Sequence, residues 1–114
     1  MKTHCKSLGV RYPEWAIVKH DIEGAIKNHK DGETVRCVDY WVEQNCYPSE
    51  AVFVPAPDAK EEDEGVLLSL VYDSSRVESF VLVLDAKTMA EVARAYTGMR
   101  CPVTFHGQFI HAPK

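Results

Sequence analysis

The amino-acid sequence predicts an all-β chain, a sandwich or part of a propeller, and three observations carry that expectation. About seven short segments rich in Val, Leu, Phe, Tyr and Trp are separated by short polar connections. Two of them, "VLLSLVYD" (Val66 to Asp73) and "VESFVLVLD" (Val77 to Asp85), flank "SSR" and hold continuous apolar runs, as expected for hairpin strands covered on both faces. A third, "TVRCVDYWVEQ" (Thr34 to Gln44), alternates and places Val35, Cys37, Asp39 and Trp41 on one face.

The remaining elements follow from local chemistry. "WAIVKHDI" (Trp15 to Ile22) reads as a strand, followed by the polar "KNHKDGET" with an Asp31-Gly32 turn signal. "EAVFVP" (Glu50 to Pro55) is a short strand stopped by Pro55 and Pro57. "DAKEEDEG" is an acidic loop ending in Gly65. "DAKTMAEVARAYTG" has two readings. Its Ala, Lys, Met, Glu and Arg content favours a helix capped by Asp85, whereas "DAKTM" as a turn makes "EVARAYT" a returning strand. "VTFHGQF" closes the chain as a final extended segment, and there are no internal repeats.

Composition narrows the function classes. A chain of 114 residues has the length of one small domain, and 46% hydrophobic with 26% charged residues is ordinary for a soluble globular protein. Thirteen basic against seventeen acidic residues give a formal charge of −4, which argues against a phosphate-binding surface and hence against nucleic acid. No apolar run approaches the roughly eighteen residues of a membrane span. "MKTHCKSLGV" lacks the apolar region of a signal peptide, so a cytosolic protein is the expectation. Cys5, Cys37, Cys46 and Cys101 form no C-x-x-C pair, which removes zinc-knuckle and thioredoxin-type readings. Without a secretory signal they read as reduced, mostly buried small hydrophobes.

Two residues are candidates for chemistry. "TFHGQFIH" holds His106 and His111, whose odd separation sends them to opposite faces of a strand, so the two cannot chelate one metal there. No H-x-H or H-E-x-x-H motif occurs. By spacing alone His106 is a histidine packed near the end of a sheet. Glu50 immediately precedes an apolar strand, where a carboxylate is costly unless paired; it is either a solvated strand end or the acceptor of an imidazole N–H, the arrangement that orients a metal-bound histidine. The run Glu61 to Glu64 lacks the alternate spacing of a calcium loop and reads as a solvated loop of like charges. There is no G-x-S-x-G and no Gly-rich phosphate loop.

Three ordered blocks, "NCYPSEAVFVPAPDAKEEDEGVLLSLVYD", "SFVLVLDAKTMAEVARA" and "PVTFHGQFI", together resemble the C-terminal region of the carotenoid cleavage oxygenase family, whose animal members are β-carotene oxygenases and a retinoid isomerohydrolase. The match is specific over Cys46 to Ile110 and loose over residues 1–45, where "AIVKHDIEG" is similar to propeller-blade phrasing. The resemblance implies that the chain is the C-terminal blades of a seven-bladed β-propeller, incomplete here, with residues 1–114 part of that one domain. It also implies a non-haem Fe(II) held by four histidines, the one in the F-H-G motif falling on His106. The glutamate of the P-S-E stretch, which accepts a hydrogen bond from a ligand histidine, falls on Glu50. It makes "DAKTM" a turn between blade strands.

The activity implied is oxidative cleavage by O2 of a polyene double bond in a carotenoid or apocarotenoid, giving aldehydes such as retinal. Family members run to several hundred residues, and the other three histidine ligands belong upstream. His4, His20 and His29 sit in no matched motif, and Ala51 stands where animal members carry proline. One ligand cannot retain iron, so the chain alone is expected to be inactive. The alternatives are a short non-catalytic β module derived from the family, or a piece of a retinoid isomerohydrolase, to which "PVTFHG" is close. Peripheral membrane contact, if the family pattern holds, would come through parts outside this chain.

Overall fold

A computed structural model describes residues 15–27, 37–102 and 106–113. Its elements run β1 (Ile17–His20), α1 (Ile22–Lys27), β2 (Cys37–Trp41), β3 (Cys46–Pro48), β4 (Val52–Pro55), β5 (Gly65–Asp73), β6 (Glu78–Asp85) and β7 (Glu91–Tyr96). β1 and β2 form an antiparallel pair. The other strands make an antiparallel meander in which β3 and β4 share one edge of β5, with β6 and then β7 on the other side.

The β5–β6 and β6–β7 turns of the meander are each built on an aspartate. At the β5–β6 turn, Asp73 Oδ1 accepts the N–H and hydroxyl of Ser75 and the N–H of Arg76. Val77 takes a positive φ of 53° to re-enter β6. At the β6–β7 turn, Asp85 Oδ1 accepts the N–H groups of Lys87 and Thr88. That capture alone would suit a helix cap equally well, but Met89 takes a positive φ of 61° and the Asp85 N–H bonds the Ala90 carbonyl at 2.9 Å, so "DAKTM" is a turn and "EVARAY" the returning strand, against local helix propensity.

The meander has two unequal faces. Val71, Phe80, Leu82 and Leu84 are fully buried on one face, under Ile17, Trp41 and Met89, with Cys46 beside them. Val66, Leu68, Leu70, Val81 and Val83 point the other way and are only half-buried. The expectation that β5 and β6 are covered on both faces therefore holds for one face within this chain.

Lys19 ties the small sheet to the large one. Its Nζ donates to Asp63 Oδ2 at 2.8 Å and to the carbonyls of Ala86 and Lys87 at 2.9 and 3.0 Å. Lys87 in turn pairs with Glu61. The acidic loop is thus exposed but not merely a run of solvated like charges, since two of its carboxylates meet lysines.

Three sequence expectations need correction. The first strand stops at His20, because Asp21 Oδ1 accepts the Gly24 N–H at 2.8 Å and caps α1, a short helix in an otherwise β chain. Cys46–Pro48 is a strand that the proline concealed. Residues 106–113 are not a strand, so alternation of faces does not govern His106 and His111. The Asp31-Gly32 turn and Val35 lie outside the described residues, as do residues 103–105. Among the described residues no helix is long and apolar enough to cross a membrane.

Candidate functional site

The site begins with a fault in strand pairing. Pro48 opposes Val71, and Val52 opposes Leu68. Ser49, Glu50 and Ala51 therefore stand against only Ser69 and Leu70, which is a one-residue β-bulge. Without it Glu50 would face Ser69 on the buried side, among Val71 and Leu82. With it the register slips by one, and Glu50 turns to the half-buried face beside Val52 and Leu68.

There it meets the C-terminal segment. Glu50 Oε2 lies 3.2 Å from His106 Nδ1 and accepts the Gly107 backbone N–H, also at 3.2 Å. A carboxylate only accepts, so the contact places the imidazole proton on Nδ1 and leaves Nε2 as the nitrogen able to hold a metal. Ser49, Glu50, Val52, Leu68, Ser69, Leu70, Val81 and residues 106–109 line a cleft of about 270 Å³ at this point. The His106 side chain is 85% exposed and that of Glu50 42%, so in this chain alone water screens the pair and it contributes little stability.

The two residues singled out in the sequence thus come together across a separation of 56 positions. The other described histidines do not join them: His20 ends β1, and the His111 ring packs edge-on to Phe109 at 4.9 Å. His4 and His29 are outside the described residues. Among the described residues no three His, Cys, Asp or Glu side chains cluster to hold a metal. The donor set present suits a metal as one oriented imidazole, and a complete site needs further ligands from elsewhere.

A second polar cluster, on the buried face, escaped the sequence reading. Arg94 binds Glu43 through Nη1 at 2.9 Å and Nη2 at 3.1 Å, and Glu91 through Nε at 2.5 Å. Its guanidinium lies 4.4 Å from the Phe80 ring centroid. These bonds hold the Glu43 and Glu91 carboxyls below their ordinary range. Burial, reinforced by a 3.1 Å bond to Glu43, pushes the Cys46 thiol up to about 12. Asp73 is held low mainly by the Ser75 hydroxyl. Lone charges in "VEQ" and "EVARAY" carried no signal, because their meeting depends on strand pairing.

Comparison with known proteins bears on this arrangement. A family model described as retinal pigment epithelial membrane protein matches residues 4–111. β,β-Carotene 15,15'-dioxygenase of Gallus gallus is 49% identical over 72 residues, covering 62% of this chain and 14% of the relative. The mitochondrial carotenoid-cleaving dioxygenase of Homo sapiens is 54% identical over 71 residues, covering 61% and 12%. Cobalt-substituted Synechocystis apocarotenoid oxygenase superposes with a TM-score of 0.67 at 28% identity, over 86% of this chain and 19% of that one. An ACO/RPE65 chimera gives 0.62 at 32% identity over 81% of this chain. The chain thus spans well under a fifth of the curated relatives it matches.

Proposed function

The chain belongs to the retinal pigment epithelial membrane protein (RPE65) family, which includes the carotenoid oxygenases, and from that premise we propose that it is the C-terminal portion of a non-haem Fe(II) carotenoid oxygenase. In this reading the meander is a four-stranded blade of a seven-bladed propeller, β3 and β4 forming one interrupted strand. The apolar face left half-exposed supports it, because such a face is what a neighbouring blade would cover. The substrates are a carotenoid or apocarotenoid and O2, and the products are aldehydes such as retinal. His106 is one of four histidine ligands, and Glu50 is the carboxylate that orients it.

The observation that carries the proposal is the Glu50–His106–Gly107 contact. When bound, the iron supplies the centre at which dioxygen is activated towards a polyene double bond. The chain's own residues supply the rest of the argument. Glu50 fixes the His106 tautomer through Nδ1–H and raises the basicity of Nε2. The Gly107 N–H holds the carboxylate in place and pins the backbone next to the ring. Val52, Leu68, Leu70 and Val81 give the cleft an apolar floor that suits a polyene.

The test is made in the full-length protein that carries this sequence. Iron content and carotenoid cleavage are measured for wild type, His106→Ala and Glu50→Gln. Loss of iron in His106→Ala, with weakened retention in Glu50→Gln by about 10- to 100-fold, is expected. Full iron occupancy in His106→Ala would remove the histidine from the ligand set and the proposal with it. The 114-residue chain alone is expected to retain no iron.

A further inference from the structure

Ser69 sits where a serine is costly. It interrupts the apolar run "VLLSLVYD", is 2% exposed, and stands opposite the fully buried Leu82 on the same face as Val71 and Phe80. A hydroxyl there loses water and must find a partner. Its Oγ donates to the Ser49 carbonyl at 2.9 Å. Ser49 opens the bulge: its N–H still reaches the Leu70 carbonyl at 2.9 Å, as a regular rung would, and the register slips immediately after it. Bulges leave backbone groups without ladder partners, and a side-chain donor reaching one from the facing strand holds the fault at a single residue.

We propose that Ser69 is a positioning residue: its buried hydroxyl locks the Ser49 bulge and so aims Glu50 at His106 and Gly107. Ser69 is 2% exposed at the floor of the cleft, and its hydroxyl bonds the Ser49 carbonyl and not the imidazole; it acts through the backbone of Ser49 and the carboxylate of the next residue. The inference rests on the reading of Glu50 and His106 as the site, and it adds the device that keeps a carboxylate off the core face.

Residue-resolved amide hydrogen exchange on the full chain tests this, read at Gly107, whose N–H is bonded to Glu50. Ser69→Ala is expected to speed Gly107 exchange about tenfold while Val71 and Leu82 exchange as in wild type. Ser69→Thr, which keeps the hydroxyl, restores the wild-type rate. Unchanged Gly107 exchange in Ser69→Ala overturns the proposal, as does a uniform rise across β5 and β6, which would mark a merely structural serine. Glu50→Ala separates the two layers of argument. If it speeds Gly107 while Ser69→Ala does not, only the lock is lost; if Glu50→Ala has no effect, the Glu50 contact and the function built on it fall together.

Discussion

Deleting Ala51 should remove the bulge and nothing else. Pairing would then run Pro48 with Val71, Ser49 with Leu70, Glu50 with Ser69 and Val52 with Leu68, leaving β4 in its native register. Glu50 would swing onto the face where Val71 and Leu82 are fully buried. Full burial raises a carboxyl pKa by about 3–5 units, so at neutral pH the group takes a proton on folding, and at about 1.36 kcal/mol per unit between its ordinary value and neutrality the cost is limited to about 3–4 kcal/mol. A bond between the neutral acid and the Ser69 hydroxyl offsets about 0.5–1.5 kcal/mol of that. The net loss should be about 2–3 kcal/mol, a large share of the stability of a small domain. Urea unfolding followed through the fluorescence of buried Trp41 reads it. The loss should shrink as pH falls, since a buried carboxyl that takes a proton no longer carries charge into the core. Adding Glu50→Leu to the deletion should restore most of the stability but not the contact with Gly107. A deletion variant within about 1 kcal/mol of wild type would mean that the register slip does not decide where Glu50 points.

Three further outcomes follow from the polar cluster around Arg94 and its neighbours. Arg94→Lys should cost about 1–2 kcal/mol in urea unfolding, because an ammonium cannot fork between Glu43 and Glu91 while lying over Phe80; the side chain is 24% exposed, which limits the loss through screening. Equal stability would show the fork to be incidental. Asp73, Glu43 and Glu91 have depressed folded pKa values, so their contribution is complete above the ordinary carboxylate range and lost as pH falls through and below it. Stability should hold from pH 8 to 6 and decline below about pH 4.5, less steeply in Asp73→Asn; a chain as stable at pH 3 as at pH 7 contradicts this. With its thiol pushed up to about 12 and buried, Cys46 should resist iodoacetamide at pH 8 until the chain unfolds, while half-buried Cys101 reacts before it by peptide mapping. Equal rates at the two cysteines would count against the burial.

The amino-acid sequence by itself determined what depends on near neighbours. Alternation and β-branched runs marked β2, β5 and β6. Aspartates at strand ends built the turns at Asp73 and Asp85 from donors only two or three residues on. Even there, composition alone left "DAKTM" open, since an aspartate that captures nearby N–H groups caps a helix as readily as it makes a turn, and the positive φ of Met89 that decides it is set by the pairing of β6 with β7. α1 went unread because a single capping aspartate, Asp21, is a weak signal beside a preceding apolar run. Glu50 and His106 could be named as candidates one at a time, through the cost of a carboxylate at a strand edge and the motif that His106 sits in.

Tertiary structure decided everything that required two distant segments to meet. The bulge is a property of β3 and β4 against β5, not of "PSEAV", and it exists only as a mismatch in counting between paired strands. It alone chooses which face receives Glu50. The approach of His106 across 56 positions, and the closing of Arg94 on Glu43 across 51, rest on the same pairing. Local rules assign a side chain to one of two faces; only the packed sheet says which face is core.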